Sequence, residues 1–166
     1  MIKIKLPDGS VKEYEKKVLV GDVTKDISMG LYRQAVGAVV NGKTMGYAET
    51  IEEDSDFRVV KFEDKEGKEI FWHTSAHLMA AAIKELFPDT KFAIGPAIDD
   101  GFYYDMDLEH RFTPEDLEKI EKKMIEIAKR DLKLERIEIS RAEALEKFTE
   151  EGQDYKVELI EDLPED

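Results

Sequence analysis

The sequence predicts an α+β protein made of two small domains, and three observations predict it. The first sixty residues read in order as a hairpin, a short helix, a second hairpin and a closing strand. A charged run with one glycine, Glu63-Asp64-Lys65-Glu66-Gly67-Lys68-Glu69, then breaks the pattern. Beyond it, apolar residues recur at helical spacing between short, aromatic, glycine-punctuated stretches.

In the first part, Ile2, Ile4 and Leu6 alternate with lysines, as a strand with one buried face requires. Pro7-Asp8-Gly9-Ser10 has turn chemistry, and residues 11–16 return as a strand of weaker pattern. Gly21-Asp22 opens a short helix whose Val23 and Ile27 share a face, with Gly30 expected as its terminator. Ala38-Val39-Val40 leads into Asn41-Gly42, the strongest short hairpin signal, followed by a strand through Met45 and Tyr47. Phe57 to Phe62 closes the unit. That order fits a small β-grasp (ubiquitin-like) sheet with one helix across it, over residues 1–62. Residues 63–69 are expected to be a connector and 70–166 a second domain.

In the second part, Ala76, Met79, Ala80, Ile83 and Phe87 form a helical stripe that Pro88 ends. Residues 91–108 read as short strands and turns. Thr113-Pro114-Glu115-Asp116 supplies a capping hydroxyl, proline at the first helical position and acids in the first turn, ahead of a buried stripe of Leu117, Ile120, Met124 and Ile127. Leu134 to Ile139 resembles a strand. Ser140 with Glu143 makes a capping box before a helix that Gly152 ends. Tyr155, Val157 and Leu159 alternate as a final strand.

The 166 residues carry 25 Lys plus Arg against 39 Asp plus Glu, a formal charge of −14, and no cysteine. A disulfide scaffold, a cysteine zinc site and a thiol nucleophile are therefore excluded within this sequence. The acidity argues against a general nucleic-acid binder. It is uneven: residues 1–64 have a net charge of −2 and residues 65–166 of −12. No apolar run approaches the roughly 20 residues of a membrane span, and the N-terminus lacks a secretory signal pattern. A soluble, cytoplasmic protein that meets no membrane is expected.

Chemistry-bearing residues are few. The three histidines are His73, His77 and His110, and the first two stand four apart at the start of a helix, on one face. Spacing alone suits either a site or two surface histidines satisfied by water. A zinc site would need more ligands than this pair, and the glutamate of a metalloprotease helix is missing from His73-Thr74-Ser75-Ala76-His77. Two neutral imidazoles can still orient a water or a hydroxyl, since each ring offers one donor and one acceptor. Ser75 lacks the glycine frame of a nucleophile elbow. His110 reads as a surface residue, Asp99-Asp100 and Asp105/Asp107 as turn acids, and Phe102-Tyr103-Tyr104 as core.

Certain residues go further. Leu6-Pro7-Asp8-Gly9-Ser10 and then Asn41-Gly42 resemble the TGS domain, a β-grasp module. His73-Thr74-Ser75-Ala76-His77-Leu78, Ala93-Ile94-Gly95-Pro96, Gly101-Phe102-Tyr103-Tyr104-Asp105 and Tyr155-Lys156-Val157 resemble, in order, the editing domain of bacterial threonyl-tRNA synthetases. The similarity runs over essentially the whole chain.

The resemblance implies an N-terminal part of a synthetase that joins threonine to its tRNA. The ATP-using, zinc-containing catalytic core belongs elsewhere in such enzymes, so no cofactor and no metal are expected here. It implies proofreading by hydrolysis of seryl-tRNA(Thr), with His73 and Lys156 catalytic and His77 and Tyr104 binding the seryl or terminal ribose groups. The expected partner is the acceptor end of tRNA(Thr) within the full enzyme, a homodimer by family; this chain alone is expected to be a monomer. A Cys-x-x-x-His pair of the family pattern would follow Asp166, so the chain is expected to be a truncated, inactive portion. Two alternatives stand beside this reading: a non-catalytic TGS-containing module that interacts with tRNA or another ligand, and a stand-alone trans-editing deacylase.

Overall fold

The computed structural model describes residues 1–135 and 137–164. Its fold is α+β, in two compact units: Met1–Trp72 with Leu134 and Glu135, and His73–Lys133 with residues 137–164.

The first unit is a β-grasp. Strands β1 (Ile2–Lys5), β2 (Val11–Tyr14), β4 (Ala35–Val40), β5 (Lys43–Met45) and β7 (Ser55–Lys61) form one sheet in the order β2-β1-β7-β4-β5. The first and last of these strands lie side by side and parallel, Ile4 opposite Ser55, while the other neighbours are antiparallel. A two-stranded ribbon joins β3 (Val18–Leu19) to β6 (Thr50–Ile51). Helix α1 (Val20–Ile27) puts Val20 and Val23 into a core with Ile2, Ile4, Ala38, Val40 and Phe57. Ile4, Val20, Val23 and Val60 are fully buried, each worth about 1.5–3 kcal/mol relative to exposure.

The β4–β5 turn forms where Asn41-Gly42 predicts it. Asn41 has φ 49° and Gly42 φ 81°, the left-handed pair that a two-residue hairpin turn demands. The Asn41 side chain also accepts a hydrogen bond from the Asp56 N–H at 2.9 Å, tying the turn to β7.

Gly30 does not end the first helix. Ser28 ends it, and the same Ser28 starts α2 (Met29–Gln34), its Oγ accepting from the Gly30 and Leu31 N–H groups. A hydroxyl that satisfies the orphan donors of the next turn lets the chain re-enter a helix at once. Residues 65–69 of the charged run likewise form the opening turns of α3 (Lys65–Leu86). Asp64 accepts from Lys61 N through its carboxylate at 2.8 Å, and from Lys68 N through its carbonyl at 3.0 Å, so the helix has a defined start. Within the first unit, Phe62 meets Phe71 and Trp72 edge-on at 5.0 and 5.9 Å.

In the second unit, α4 (Pro114–Lys129) and α5 (Arg141–Glu150) start as the sequence predicts, each with a complete capping box, Thr113 with Asp116 and Ser140 with Glu143. Short antiparallel pairs join β8 (Lys91–Phe92) to β11 (Met106–Asp107) and β9 (Ala97–Ile98) to β10 (Gly101–Phe102). The core gathers Ala82 and Ile83 of α3, Phe92 of β8, and Ile120 and Ile127 of α4. Leu117, expected in the buried stripe, is 59% exposed; Asp116 turns inward in its place.

Two expected strands are not found among the described residues. Leu134, Glu135 and residues 137–139 lie in no strand, and Arg136 is outside the described residues. Residues 154–161 form a helix, α6 (Asp154–Glu161). The less exposed positions of this stretch are Gln153, Lys156, Val157 and Ile160. That is a helical spacing, which prevails over the period-two alternation of Tyr155, Val157 and Leu159.

Candidate functional site

Helix α3 places His73 and His77 one turn apart. Their Nε2 atoms stand 3.1 Å apart, and the rings meet edge to face with centroids at 4.7 Å. At that distance one Nε2–H donates to the lone pair of the other, so the pair is compatible with two neutral rings or one protonated ring and opposed to two cations. Burial is the first cause holding the His77 imidazole below its ordinary value; the neighbouring His73 and the Lys156 ammonium add to it. His77 is therefore neutral at pH 7, since an unperturbed imidazole titrates near ~6.5.

Lys156 comes from the first turn of α6, with its backbone N–H bonded to the Gln153 carbonyl at 2.9 Å. Its Nζ lies 5.0 Å from the centre of the Phe148 ring of α5, a cation–π contact that steers a flexible side chain.

Tyr104 packs with its ring edge-on to Phe92, centroids 5.5 Å apart. Gly95 lies close against that ring: a methyl in place of its hydrogen would run into Cδ2 and Cε2 of Tyr104. Burial pushes the Tyr104 phenol up, so at neutral pH it remains a hydrogen-bond donor. The structure thus joins His73 to His77 directly and brings the charge of Lys156 to bear on His77. Among the described residues no hydrogen bond links Tyr104 to these three.

His110 is exposed, as expected of a surface residue, and is also engaged by its neighbours. It meets Asp116 Oδ2 through Nε2 at 2.7 Å and stacks on Phe87 with centroids 5.1 Å apart. Asp116 also accepts from Thr113 N and Oγ1, both at 3.1 Å, and from Lys119 Nζ at 3.0 Å. The cluster fastens the start of α4. Asp99 and Asp100 form the β9–β10 turn, as read from sequence. Among the described residues no group of three or more His, Asp or Glu is disposed to hold a metal ion, and no helix is long and apolar enough to cross a membrane.

Chemically, neutral imidazoles can hold a water by one nitrogen and accept its proton at another, and a nearby ammonium stabilises developing negative charge. Sequence spacing alone reveals the histidine pair. It does not reveal Lys91, Asp107 or Phe148, whose contacts with α6 are created by tertiary packing.

Residues 2–61 match the TGS domain family. Over 166 residues, all of this chain, it is 61% identical to the threonine–tRNA ligase of Finegoldia magna, covering 26% of that protein. It is 61% identical over 165 residues to the threonine–tRNA ligase of Clostridioides difficile and 52% identical over 165 to that of Carboxydothermus hydrogenoformans, in both cases 99% of this chain and 26% of the relative. The chain spans about a quarter of the length of the curated relatives it matches. It carries a TGS domain over residues 2–61 and is, along its whole length, similar to the N-terminal part of the threonine–tRNA ligases.

Proposed function

We propose that the second unit proofreads: within a whole threonine–tRNA ligase it hydrolyses serine wrongly esterified to tRNA(Thr). Serine lacks one methyl of threonine, and a contact of that size discriminates by only ~1–3 kcal/mol, so a second, hydrolytic site has a physical purpose. The observation that carries the reading is the His73–His77 contact at 3.1 Å, with His77 kept neutral beside Lys156.

In this reading His73 positions the attacking water and takes its proton. Lys156 sets a cation near the oxyanion as the carbonyl carbon becomes tetrahedral. His77 and the Tyr104 phenol hold the seryl or terminal ribose hydroxyls, His77 staying neutral so that it can both donate and accept. The site works without a metal ion, in the cytoplasm, on a tRNA acceptor end delivered by the rest of the enzyme. The aminoacylating core, with its ATP and zinc, lies in the part of such ligases that this chain does not span.

The test is a deacylation time course on seryl-tRNA(Thr) with a full-length ligase carrying this segment. His73→Ala should slow hydrolysis by about 10²–10⁴-fold, the usual worth of general acid–base help, while threonine activation is unchanged. Equal rates for the parent and the His73→Ala enzyme would make the histidines structural.

A further inference from the structure

Lys91 and Asp107 are direct partners across the β8–β11 ladder, and both reach the first turn of α6. Lys91 Nζ pairs with Asp154 Oδ2 at 2.5 Å. The Tyr155 hydroxyl donates to Asp107 Oδ2 at 3.2 Å. Two adjacent residues of α6 are thus held by one cross-strand pair, and the residue that follows them is Lys156.

Two holds on one helical turn fix more than position. Successive side chains leave a helix about 100° apart, so anchoring residues 154 and 155 sets the rotation of α6 and with it the direction of residue 156. At the far end, Arg141 of α5 donates to the carbonyls of Glu161 and Leu163 at 2.7 and 3.1 Å, so α6 is tied at both ends. The same ribbon continues toward Tyr104, through Ala93 N to Asp105 O at 3.0 Å and Asp105 N to Ile94 O at 2.8 Å. Exposed ion pairs contribute little to stability, and Lys91, Asp154 and Tyr155 are all exposed or half-exposed. Orientation is what these contacts can supply.

We propose that the cross-strand pair Lys91 and Asp107 positions Lys156 by gripping Asp154 and Tyr155, so that one β-ribbon sets the placement of both Tyr104 and Lys156. Lys91, Asp107, Asp154 and Tyr155 are positioning residues, not catalytic ones. The inference rests on the reading of Lys156 as part of the hydrolytic site, but its test does not require hydrolysis.

The charged groups that act on His77 are His73 on its own helix and Lys156 on α6. The His77 imidazole, followed by NMR titration in the 166-residue chain, therefore reports where the Lys156 ammonium sits. Lys156→Gln should raise its titration point by removing the cation. Asp154→Asn with Tyr155→Phe should raise it in the same direction, as Lys156 loosens. Loss of the Asp154 charge acting directly would have the opposite sign, because removing a negative charge favours the neutral ring. Tyr155→Phe alone changes no charge and removes one hydroxyl from an exposed side chain; it should give a smaller rise, and it decides the matter if the double variant fails to fold. Asp154→Glu, which keeps the ion pair, should leave His77 at the parent value. No rise with the double variant, or no response to Lys156→Gln, overturns the proposal. The deacylation assay with His73→Ala tests the hydrolytic reading separately, and either can fail without the other.

Discussion

Gly95 and Tyr104 are in direct contact: a Cβ on the glycine would run into Cδ2 and Cε2 of the phenol ring, so there is no room for one. The ring is also held by the edge contact with Phe92, so it cannot yield freely. Gly95→Ala should therefore destabilise the second unit by about 1–3 kcal/mol, the usual cost of overpacking. Urea unfolding gives the number, and a double-mutant cycle gives its cause. In a Tyr104→Ala background the same Gly95→Ala change should cost much less, since the clashing ring is gone. An equal loss in both backgrounds would mean that the backbone, not the ring, demands glycine.

Asp116 ties pH to the stability of α4. The hydrogen bond from His110 is the first cause that holds its carboxyl well below the usual carboxylate range, followed by those from Thr113 and Lys119. A carboxyl depressed in the folded state stabilises it above the unfolded value, about 3.9 for Asp, and that contribution disappears as pH falls toward the folded one. Asp116→Asn should lower the melting temperature at about pH 7, well above the unfolded value. The gap between the two proteins should narrow below about pH 4. A gap that stays constant into acid would separate the role of Asp116 from its charge.

Much of this arrangement can be read in the sequence where the signals are local. Asn41-Gly42 predicts the hairpin because two successive left-handed residues are its physical requirement, and φ values of 49° and 81° meet it. The hydroxyls of Thr113 and Ser140 predict helix starts because they satisfy donors two or three residues away. The misreadings arise where two periods coincide or where a partner is distant. Tyr155, Val157 and Leu159 alternate, yet Gln153, Lys156, Val157 and Ile160 also mark a helical face, and eight residues are too few for the pattern to choose. Leu117 fits the apolar stripe by spacing but yields its place to Asp116, whose partner His110 lies outside the helix. At the site, the His73–His77 spacing is visible in one dimension. The hold on α6 is not, since Lys91 and Asp154 are 63 residues apart and Asp107 and Tyr155 are 48 apart.

Proteolysis should find residues 131–135 before the charged run at 63–69. The run looks like a flexible joint by composition, but from Lys65 onward it is helical. Leu132 and Leu134, by contrast, are 62% and 71% exposed in a stretch with no helix or strand, and cleavage needs an extended, accessible backbone. Brief chymotrypsin treatment, read by mass spectrometry, should first cut after Leu132 or Leu134. An initial cut between Glu63 and Glu69 would show that the opening turns of α3 are open much of the time.

Charge sets how this chain alone meets tRNA. A protein gains affinity for a polyanion by neutralising phosphates and releasing their counterions, and the dependence on salt follows the number neutralised. Here the formal charge is −14, with −12 of it in residues 65–166, the part that holds the histidine pair. Several of its cations are already engaged by acids of the same chain: Arg130 with Glu85 and Glu126, Lys123 with Glu126, Lys91 with Asp154. Those cations are less available to phosphates, and the surrounding negative field repels the backbone. Fluorescently labelled tRNA(Thr) titrated with the chain at about 0.15 M salt, where charges are screened beyond roughly 8 Å, should show no tight complex. Lowering the salt should produce only weak binding with a shallow salt slope. A nanomolar complex that survives physiological salt would show that this chain carries a tRNA-binding surface of its own.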